Sequence, residues 1–176
     1  MQTIKNEICP MCQAKKLTLF EDEQDIPYFG KVFLFGMNCE GCGYKQSDVE
    51  SEQTKEPCKI EFIIKSTKDL TVRVVKSCEA SIYVPQLKMS VTPGVASEGY
   101  VSNIEGVLNR FKKILEGERD STDEDDVRKK AKNLLKRLWK VECGDEELKI
   151  IIEDPSGNSA VISDKTIISN LKSKKK

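Results

Sequence analysis

Cys9-Pro10-Met11-Cys12 and Cys39-Glu40-Gly41-Cys42 repeat the pattern Cys-x-x-Cys, and residues 13–38 separate the two copies. A tight turn of this kind brings two sulfur atoms close together, and two such turns facing each other offer four thiolates at the corners of a tetrahedron. Zinc fits this ligand set best, because it is redox-inert and has no d-electron preference for another geometry. The pattern therefore predicts a zinc ribbon in which Cys9, Cys12, Cys39 and Cys42 bind one structural zinc ion.

The spacing and the neighbouring residues add detail to this prediction. The gap exceeds the roughly 15–20 residues that are usual in such sites, so we expect long hairpin arms. Gly41 and Gly43 are expected to supply positive φ angles near the sulfur atoms. A disulfide framework fits poorly, because the chain is rich in lysine and its seven cysteines are an odd number. A redox pair also fits poorly, since neither pattern lies at a strand-to-helix junction.

The composition indicates a globular chain with balanced charge. Of its 176 residues, 38% are hydrophobic and 33% are charged, and the 29 basic residues equal the 29 acidic ones in number. This length suits one domain, or a small domain followed by a modest one. A net charge of zero argues against phosphate binding as the main function, because nucleic-acid binding needs surplus basic charge.

The sequence has no histidine, and this excludes much catalytic chemistry. The commonest general base and the Ser-His and Cys-His nucleophile pairs are absent. We therefore expect a protein that is not an enzyme. No apolar run is long enough to span a membrane, and residues 1–7 lack the apolar core of a signal peptide. These features predict a cytoplasmic protein.

The first 46 residues are interpreted as the zinc ribbon. Residues 17–20 and 31–37 are expected to form strands, with an acidic turn at residues 21–25. Residues 47–56 carry alternating charge without a core pattern, and they are interpreted as a linker.

Residues 57–171 are predicted to form a second domain. Short β-forming segments recur at intervals of about ten residues, which is typical of an antiparallel sandwich or barrel. The first two are expected to pair as a hairpin across a turn at residues 68–69. The segments are residues 59–65, 70–75, 81–84, 87–91, 148–152, 160–162 and 166–168.

Helical periodicity interrupts these strands at about residues 102–141. Ser102 and Glu105 fit a capping box at the start of the first helix, and Gly117 is a candidate for its end. The second helix is expected to place Trp139 with its apolar residues on one face and its basic residues on the other. The two helices should pair as a hairpin. Residues 172–176 are a basic run that we expect to be disordered.

The order of several short motifs resembles the ZPR-type zinc-finger proteins over nearly the whole chain. The two cysteine patterns alone are common to many zinc ribbons, whereas the turn at residues 153–159 is specific. The motifs are Cys9-Pro10-Met11-Cys12, Ile26-Pro27-Tyr28-Phe29, Asn38-Cys39-Glu40-Gly41-Cys42-Gly43-Tyr44, Val75-Lys76-Ser77, Ala80-Ser81-Ile82, Val84-Pro85-Gln86-Leu87, Ile104-Glu105-Gly106 and Glu153-Asp154-Pro155-Ser156-Gly157-Asn158-Ser159.

The resemblance implies both a fold and a partner. The implied fold is mainly β with an α insertion: an N-terminal four-cysteine zinc ribbon, followed by a double-stranded β-helix (jelly-roll-like) domain that carries a helical hairpin. The implied function is binding to translation elongation factor 1-alpha, as a folding chaperone or adaptor for that GTPase. Members from eukaryotes resemble two such units in tandem, and the single unit here resembles an archaeal member.

Three groups of residues are candidates for contact with a partner, and each also has a purely structural interpretation. Ile26, Pro27, Tyr28 and Phe29 form either an exposed aromatic anchor or part of the core. Arg128, Lys132 and Arg137 form either an electrostatic contact or a solvated helix face. Asp154, Ser156 and Asn158 form either a contact loop or a tight turn. The alternative function is a zinc-ribbon module that binds nucleic acid in translation or transcription.

Overall fold

The computed structural model describes residues 1–26, 30–51, 55–94 and 97–171. The predicted disordered tail at residues 172–176 and the Pro27, Tyr28 and Phe29 motif lie outside the described residues. Neither of the two helices in the described ranges is long and apolar enough to cross a membrane.

The N-terminal third of the chain forms an antiparallel sheet in which each strand pairs with the next along the chain. The long arms that the cysteine spacing predicts are present, because the second and third strands pair along ten residue positions, from Leu17↔Cys39 to Ile26↔Gly30. The strands are β1 (Gln2–Ile8), β2 (Lys15–Ile26), β3 (Gly30–Cys39) and β4 (Lys45–Ser51).

The acidic segment at residues 21–25 was predicted to be a turn, and this prediction is wrong. These residues continue β2, and each of them pairs with a residue of β3. All five are exposed or half-exposed, so neither face of the strand at this point requires apolar side chains. Backbone pairing with the apolar β3 therefore outweighs the weak β propensity of acidic residues.

Residues 47–51 were predicted to begin a linker, and they form most of β4 instead. The strand pairs with β3 from Asn38↔Lys45 to Val32↔Ser51. Its sequence carries only one strong β former, Val49, which packs in a small apolar cluster with Val32. The extent of the two domains remains a prediction, because the ribbon sheet and the following domain share this cluster.

The rest of the chain contains two more sheets around one core. The order of the larger sheet is β12-β5-β10-β7-β8, and that of the smaller sheet is β11-β6-β9. The main core is formed by buried side chains from both sheets and from both helices. The strands are β5 (Cys58–Ile64), β6 (Arg73–Lys76), β7 (Ser81–Val84), β8 (Met89–Val91), β9 (Tyr100–Asn103), β10 (Leu148–Asp154), β11 (Ala160–Val161) and β12 (Ile167–Asn170). The predicted jelly-roll-like domain is confirmed.

The hairpin predicted between the first two of these strands is wrong, because β5 and β6 lie in different sheets. A short 3-10 helix, Thr67–Thr71, carries the chain from one sheet to the other. Asp69 is buried in this crossing, where its Oδ2 accepts hydrogen bonds from the amides of Lys65 at 2.9 Å and Ser66 at 3.0 Å. Its Oδ1 accepts from Lys165 Nζ at 2.7 Å. These contacts fix the crossing between the two sheets.

The helical hairpin consists of α1 (Ile104–Ser121) and α2 (Asp125–Cys143). Asn103, rather than Ser102, caps α1: its Oδ1 accepts from the Gly106 amide at 2.8 Å. Ser102 still belongs to β9, where it pairs with Val74 of β6. The helix therefore begins one residue later than predicted. Gly117 does not end α1, because an exposed glycine lowers helix stability by only about 1 kcal/mol and does not block helical geometry.

A compact junction holds the ribbon sheet against the jelly-roll domain. Val32 and Val75 are both buried and pack together with residues of β4, β9 and β11. Beside them, Asp48 Oδ1 accepts a hydrogen bond from the Gly99 amide at 2.9 Å. A side chain on Gly99 would lie only 2.9 Å from the Val49 carbonyl oxygen, so this close approach requires glycine. The ribbon is therefore packed on the second domain rather than tethered to it.

We expect Asp69→Asn to destabilise the domain by about 2 kcal/mol at neutral pH. Burial raises the pKa of Asp69, but the Lys165 ammonium and the two amides outweigh it and lower this pKa from 3.8 to about 2. A lowered folded-state pKa gives stability that is present above the unfolded pKa and is lost as the pH falls through the folded value. Urea unfolding at a series of pH values measures this difference.

Asp164→Asn is the matched control, since Asp164 is an exposed aspartate close to Lys165 in the chain. It should leave the unfolding midpoint nearly unchanged at every pH. The assignment would be contradicted if the gap between wild type and Asp69→Asn were the same at pH 7 as near pH 2.

Candidate metal centre

The antiparallel order of the ribbon sheet brings both cysteine turns to the same end. Cys9 and Cys12 lie in the turn between β1 and β2, and Cys42 lies in the turn between β3 and β4. Cys39 is the last residue of β3 and is paired with Leu17 of β2. The four side chains therefore converge from two neighbouring turns.

The two turns have matching backbone geometry. In the first, the Gln13 amide donates to the Cys9 carbonyl at 2.9 Å, and in the second the Gly43 amide donates to the Cys39 carbonyl at the same distance. Gln13 and Gly43 both adopt left-handed conformations, with φ of 59° and 73°. The expectation for Gly43 is thus met, whereas Gly41 is not in this region, and its amide instead donates to Cys39 Sγ at 3.3 Å.

The distances between the sulfur atoms fit a tetrahedral zinc site. Cys9 Sγ lies 3.7 Å from Cys42 Sγ, and Cys12 Sγ lies 3.7 Å from Cys39 Sγ. All four sulfur atoms lie within 4.8 Å of one another. Four ligands at 2.3 Å from a central ion would be about 3.8 Å apart at the corners of a tetrahedron. The donor set and its size therefore suit zinc.

The thiols of this cluster differ in acidity. Burial raises the pKa of Cys9, but the amides of Cys12 and Met11 and the neighbouring thiols outweigh it and lower this pKa to about 7. The Tyr44 amide lowers the pKa of Cys42, but burial and the three other thiols raise it to about 12. Without a cation, the cluster therefore opposes the loss of all its protons. A bound zinc ion would supply the charge that stabilises four thiolates together.

Two family models match the chain and together cover most of it. The ZPR1 zinc-finger domain matches residues 4–57, and the ZPR1 jelly-roll domain matches residues 68–175. This chain belongs to the ZPR1 family. The predicted resemblance is thereby confirmed, and so is the assignment of a four-cysteine zinc site in this ZPR1 protein.

Relatives of this ZPR1 protein occur in archaea and in eukaryotes. A ZPR1-like protein of Methanocaldococcus jannaschii is 40% identical over 93% of this chain and 83% of its own length. A ZPR1-like protein of Pyrococcus horikoshii is 40% identical over 94% of this chain and 76% of its own length. The zinc finger chaperone zpr1 of Schizosaccharomyces pombe is 30% identical over 76% of this chain, but this match covers only 29% of that protein.

The turn at residues 154–159, which makes the resemblance specific, is partly buried in this ZPR1 chain, with Pro155 exposed and Ser156 and Asn158 half-buried. Asp154 is buried, and its Oδ1 accepts from the Ser156 amide at 2.9 Å and from Ser156 Oγ at 2.7 Å. Gly157 has a φ of 68°, and a Cβ there would lie 2.3 Å from the carbonyl oxygen of Glu56. Ser159 Oγ accepts from the Ser77 amide at 3.0 Å. Gly157 therefore packs against the segment that enters the jelly roll, and Ser159 joins the turn to the loop after β6.

The predicted partner residues of the hairpin have different surroundings. Arg137 forms an ion pair with Glu146, and it also donates to the carbonyl of Gln86 at 2.6 Å. Arg128 donates to the Thr122 carbonyl at 2.7 Å, which joins the two helices. Lys132 is exposed. The two arginines thus hold the hairpin in place, and a partner role for any of these residues remains a prediction. Ile26, the first residue of the predicted aromatic anchor, is the last residue of β2, and the other three residues of that anchor lie outside the described part of the chain.

The sequence interpretation missed one surface feature of the hairpin. Trp139 was placed with the apolar face of α2, but its side chain is 58% exposed. It lies at helical spacing from Lys129, Lys132 and Lys136, all of which are exposed. These residues follow one another at intervals of three, four and three positions, and such intervals place side chains on one face of a helix. The sequence alone could therefore have indicated this stripe. We name these four residues the α2 stripe.

We expect Cys39→Ser to abolish stoichiometric zinc binding and to unfold the ribbon sheet, because one missing thiolate opens the tetrahedral site. The jelly-roll domain should keep its structure, since its core contains no residue of the ribbon. Zinc content per chain, together with amide hydrogen exchange along the sequence, measures both effects.

Cys143→Ser is the matched control, because Cys143 is an exposed free cysteine at the end of α2. It should retain zinc and wild-type exchange. Full zinc content in Cys39→Ser, or unchanged protection of β2 and β3, would show that the assigned site does not hold the ribbon together.

Proposed function

We propose that this protein binds translation elongation factor 1-alpha in the cytoplasm and acts as a folding chaperone or adaptor for that GTPase. Membership of the ZPR1 family over both parts of the chain carries this proposal, because the family resemblance implies this partner. The name of the Schizosaccharomyces pombe relative, a zinc finger chaperone, supports it. The names of the relatives describe zinc-finger proteins and a chaperone rather than a class of enzyme.

The chemistry of the zinc site favours binding over catalysis. Four cysteine ligands occupy all four coordination positions of a tetrahedral zinc ion, so none is left for a substrate or a reactive water. Its role is then to fold the ribbon and to hold its surface in shape. The sequence supplies no histidine for acid–base chemistry elsewhere. A protein that presents a fixed surface to another protein is consistent with these features.

The α2 stripe is the surface that best fits contact with a protein partner. Trp139 is a large, exposed aromatic side chain, and residues of this type contribute much of the binding energy at interfaces. The three lysines beside it would attract an acidic surface and raise the rate of encounter. The intramolecular contacts of Arg128 and Arg137 keep the hairpin rigid, which lowers the entropy lost on binding.

The test is co-purification of the zinc-loaded protein with elongation factor 1-alpha from the same organism, in the nucleotide-free, GDP-bound and newly synthesised forms. A complex should form with at least one of these states. Trp139→Ala should weaken it by about tenfold or more, because truncation of an aromatic anchor commonly costs about 2 kcal/mol or more. Lys132→Glu should also weaken the complex, because it reverses an attractive charge. This loss of affinity should be larger at low salt concentration, where charges are screened less.

Tyr83→Ala is the matched control, since Tyr83 is an aromatic residue that is 42% exposed on β7 rather than on the hairpin. It should leave the complex intact. The proposal fails if no state of the GTPase binds. If the α2 stripe instead retains RNA that nuclease treatment removes, the function is nucleic-acid binding.

A further inference from the structure

Lys76 is a buried ammonium group that forms no ion pair in the described part of the chain. It is the last residue of β6 and is only 4% exposed. Its Nζ donates to the Ser77 carbonyl at 2.9 Å, and no ion pair joins it to a carboxylate within the described ranges. Burial lowers the pKa of Lys76, although Cys78 and Asp154 act in the opposite direction. Asp154 is a buried carboxylate that acts on Lys76 without forming an ion pair with it, so the ammonium group keeps donors for an anion.

A second cation lies over the same aromatic ring. Tyr100 pairs with Lys76 across β9 and β6, and the Lys76 Nζ lies 5.7 Å from the centre of its ring. The Arg110 guanidinium of α1 lies 3.9 Å from that centre. Stacking on the ring fixes the guanidinium plane without using its hydrogen-bond donors. No carboxylate in the described part of the chain pairs with Arg110 either. Both cations therefore have donors available.

These residues line a pocket between α1 and the strands beneath it. The pocket has a volume of about 410 Å³, within the range of small-molecule sites. Its walls are mainly apolar, and Ile82, Val91, Val107 and Phe111 contribute to them. Its charged lining consists of Lys76, Arg110, Lys113 and Glu98, so three cations face one carboxylate. Lys113 is exposed at the edge of α1 and has no ion pair among the residues that the structure describes.

We propose that this pocket binds a small organic anion, a carboxylate or phosphate attached to an aromatic or aliphatic body. The anionic group would lie beside Lys76 and Arg110, where charge-assisted hydrogen bonds to a guanidinium are strong. The apolar body would cover the walls of the pocket and exclude water from them. The volume of the pocket fits a molecule of this size rather than a folded partner. The pocket is lined by α1 and not by the α2 stripe, so this site is independent of the proposed GTPase contact.

Phenyl phosphate is a suitable probe, because it joins a charged group to an aromatic ring. Titration calorimetry with the zinc-loaded chain of 176 residues should show saturable binding of one phenyl phosphate per chain. Inorganic phosphate and benzyl alcohol should each bind at least about tenfold more weakly, since each lacks one of the two parts that the pocket recognises. Binding should also weaken as the salt concentration rises.

Arg110→Gln and Lys113→Gln test the charged lining on the exposed side of the pocket, where substitution should not disturb folding. The double variant should weaken phenyl phosphate binding by about tenfold or more, because it removes two cationic donors. Lys130→Gln is the matched control, since it removes an exposed lysine of α2 that lies outside both the pocket and the α2 stripe, and it should leave the affinity unchanged.

Three results would overturn the proposal. The first is no saturation by phenyl phosphate at about 10 mM. The second is unchanged affinity in the double variant, which would place any binding elsewhere on the protein. The third is equal affinity for inorganic phosphate, which would show that the apolar walls take no part. None of these results bears on the GTPase complex, because the titration contains this protein alone.

Discussion

The ribbon sheet depends on the bonds between its four thiolates and zinc. Among the described residues, its cluster at the metal end consists of buried Cys9, Leu17 and Cys39 with Leu19, Met37 and Tyr44 packed against them, and a cluster of this size cannot offset the entropy lost on folding four strands. Zinc binding in small fingers supplies on the order of 10–16 kcal/mol, and that free energy stabilises the fold directly. The sulfur atoms are already placed at tetrahedral spacing by the two matching turns. The metal therefore stabilises the end of the ribbon sheet at which the two cysteine turns meet.

The junction extends this order into the jelly-roll domain. Val32 of the ribbon is buried against Val75, and Gly157 fits closely over the backbone that connects the two sheets. Within the turn that contains Asp154, the carboxylate accepts two hydrogen bonds from Ser156, and a partner role for this turn remains a prediction. Because the two parts pack together, a partner would meet the ribbon and the hairpin in a fixed relation. That rigidity would lower the entropy lost on binding.

The zinc ligands and the main strands could be predicted from sequence, because each rests on a local pattern of residue types. The strand at residues 21–25 could not, since its acidic residues form β structure only through pairing with β3. The crossing at Asp69 was missed for a similar reason: local hydrophobicity does not indicate which sheet a strand joins. Ser102 fits the pattern of a helix N-cap, but it remains paired in β9, so Asn103 is the N-cap of α1 instead. The exposure of Trp139 depends on how the hairpin packs, which helical periodicity alone does not determine.

The zinc coordination of the purified protein tests the central claim most directly. Elemental analysis combined with X-ray absorption at the zinc edge gives the number of ions per chain and the identity and distance of their ligands. The account predicts one zinc ion per chain, bound by four sulfur atoms at about 2.3 Å. Less than one ion per chain after purification without chelator would contradict it, and so would a coordination shell that contains oxygen or nitrogen.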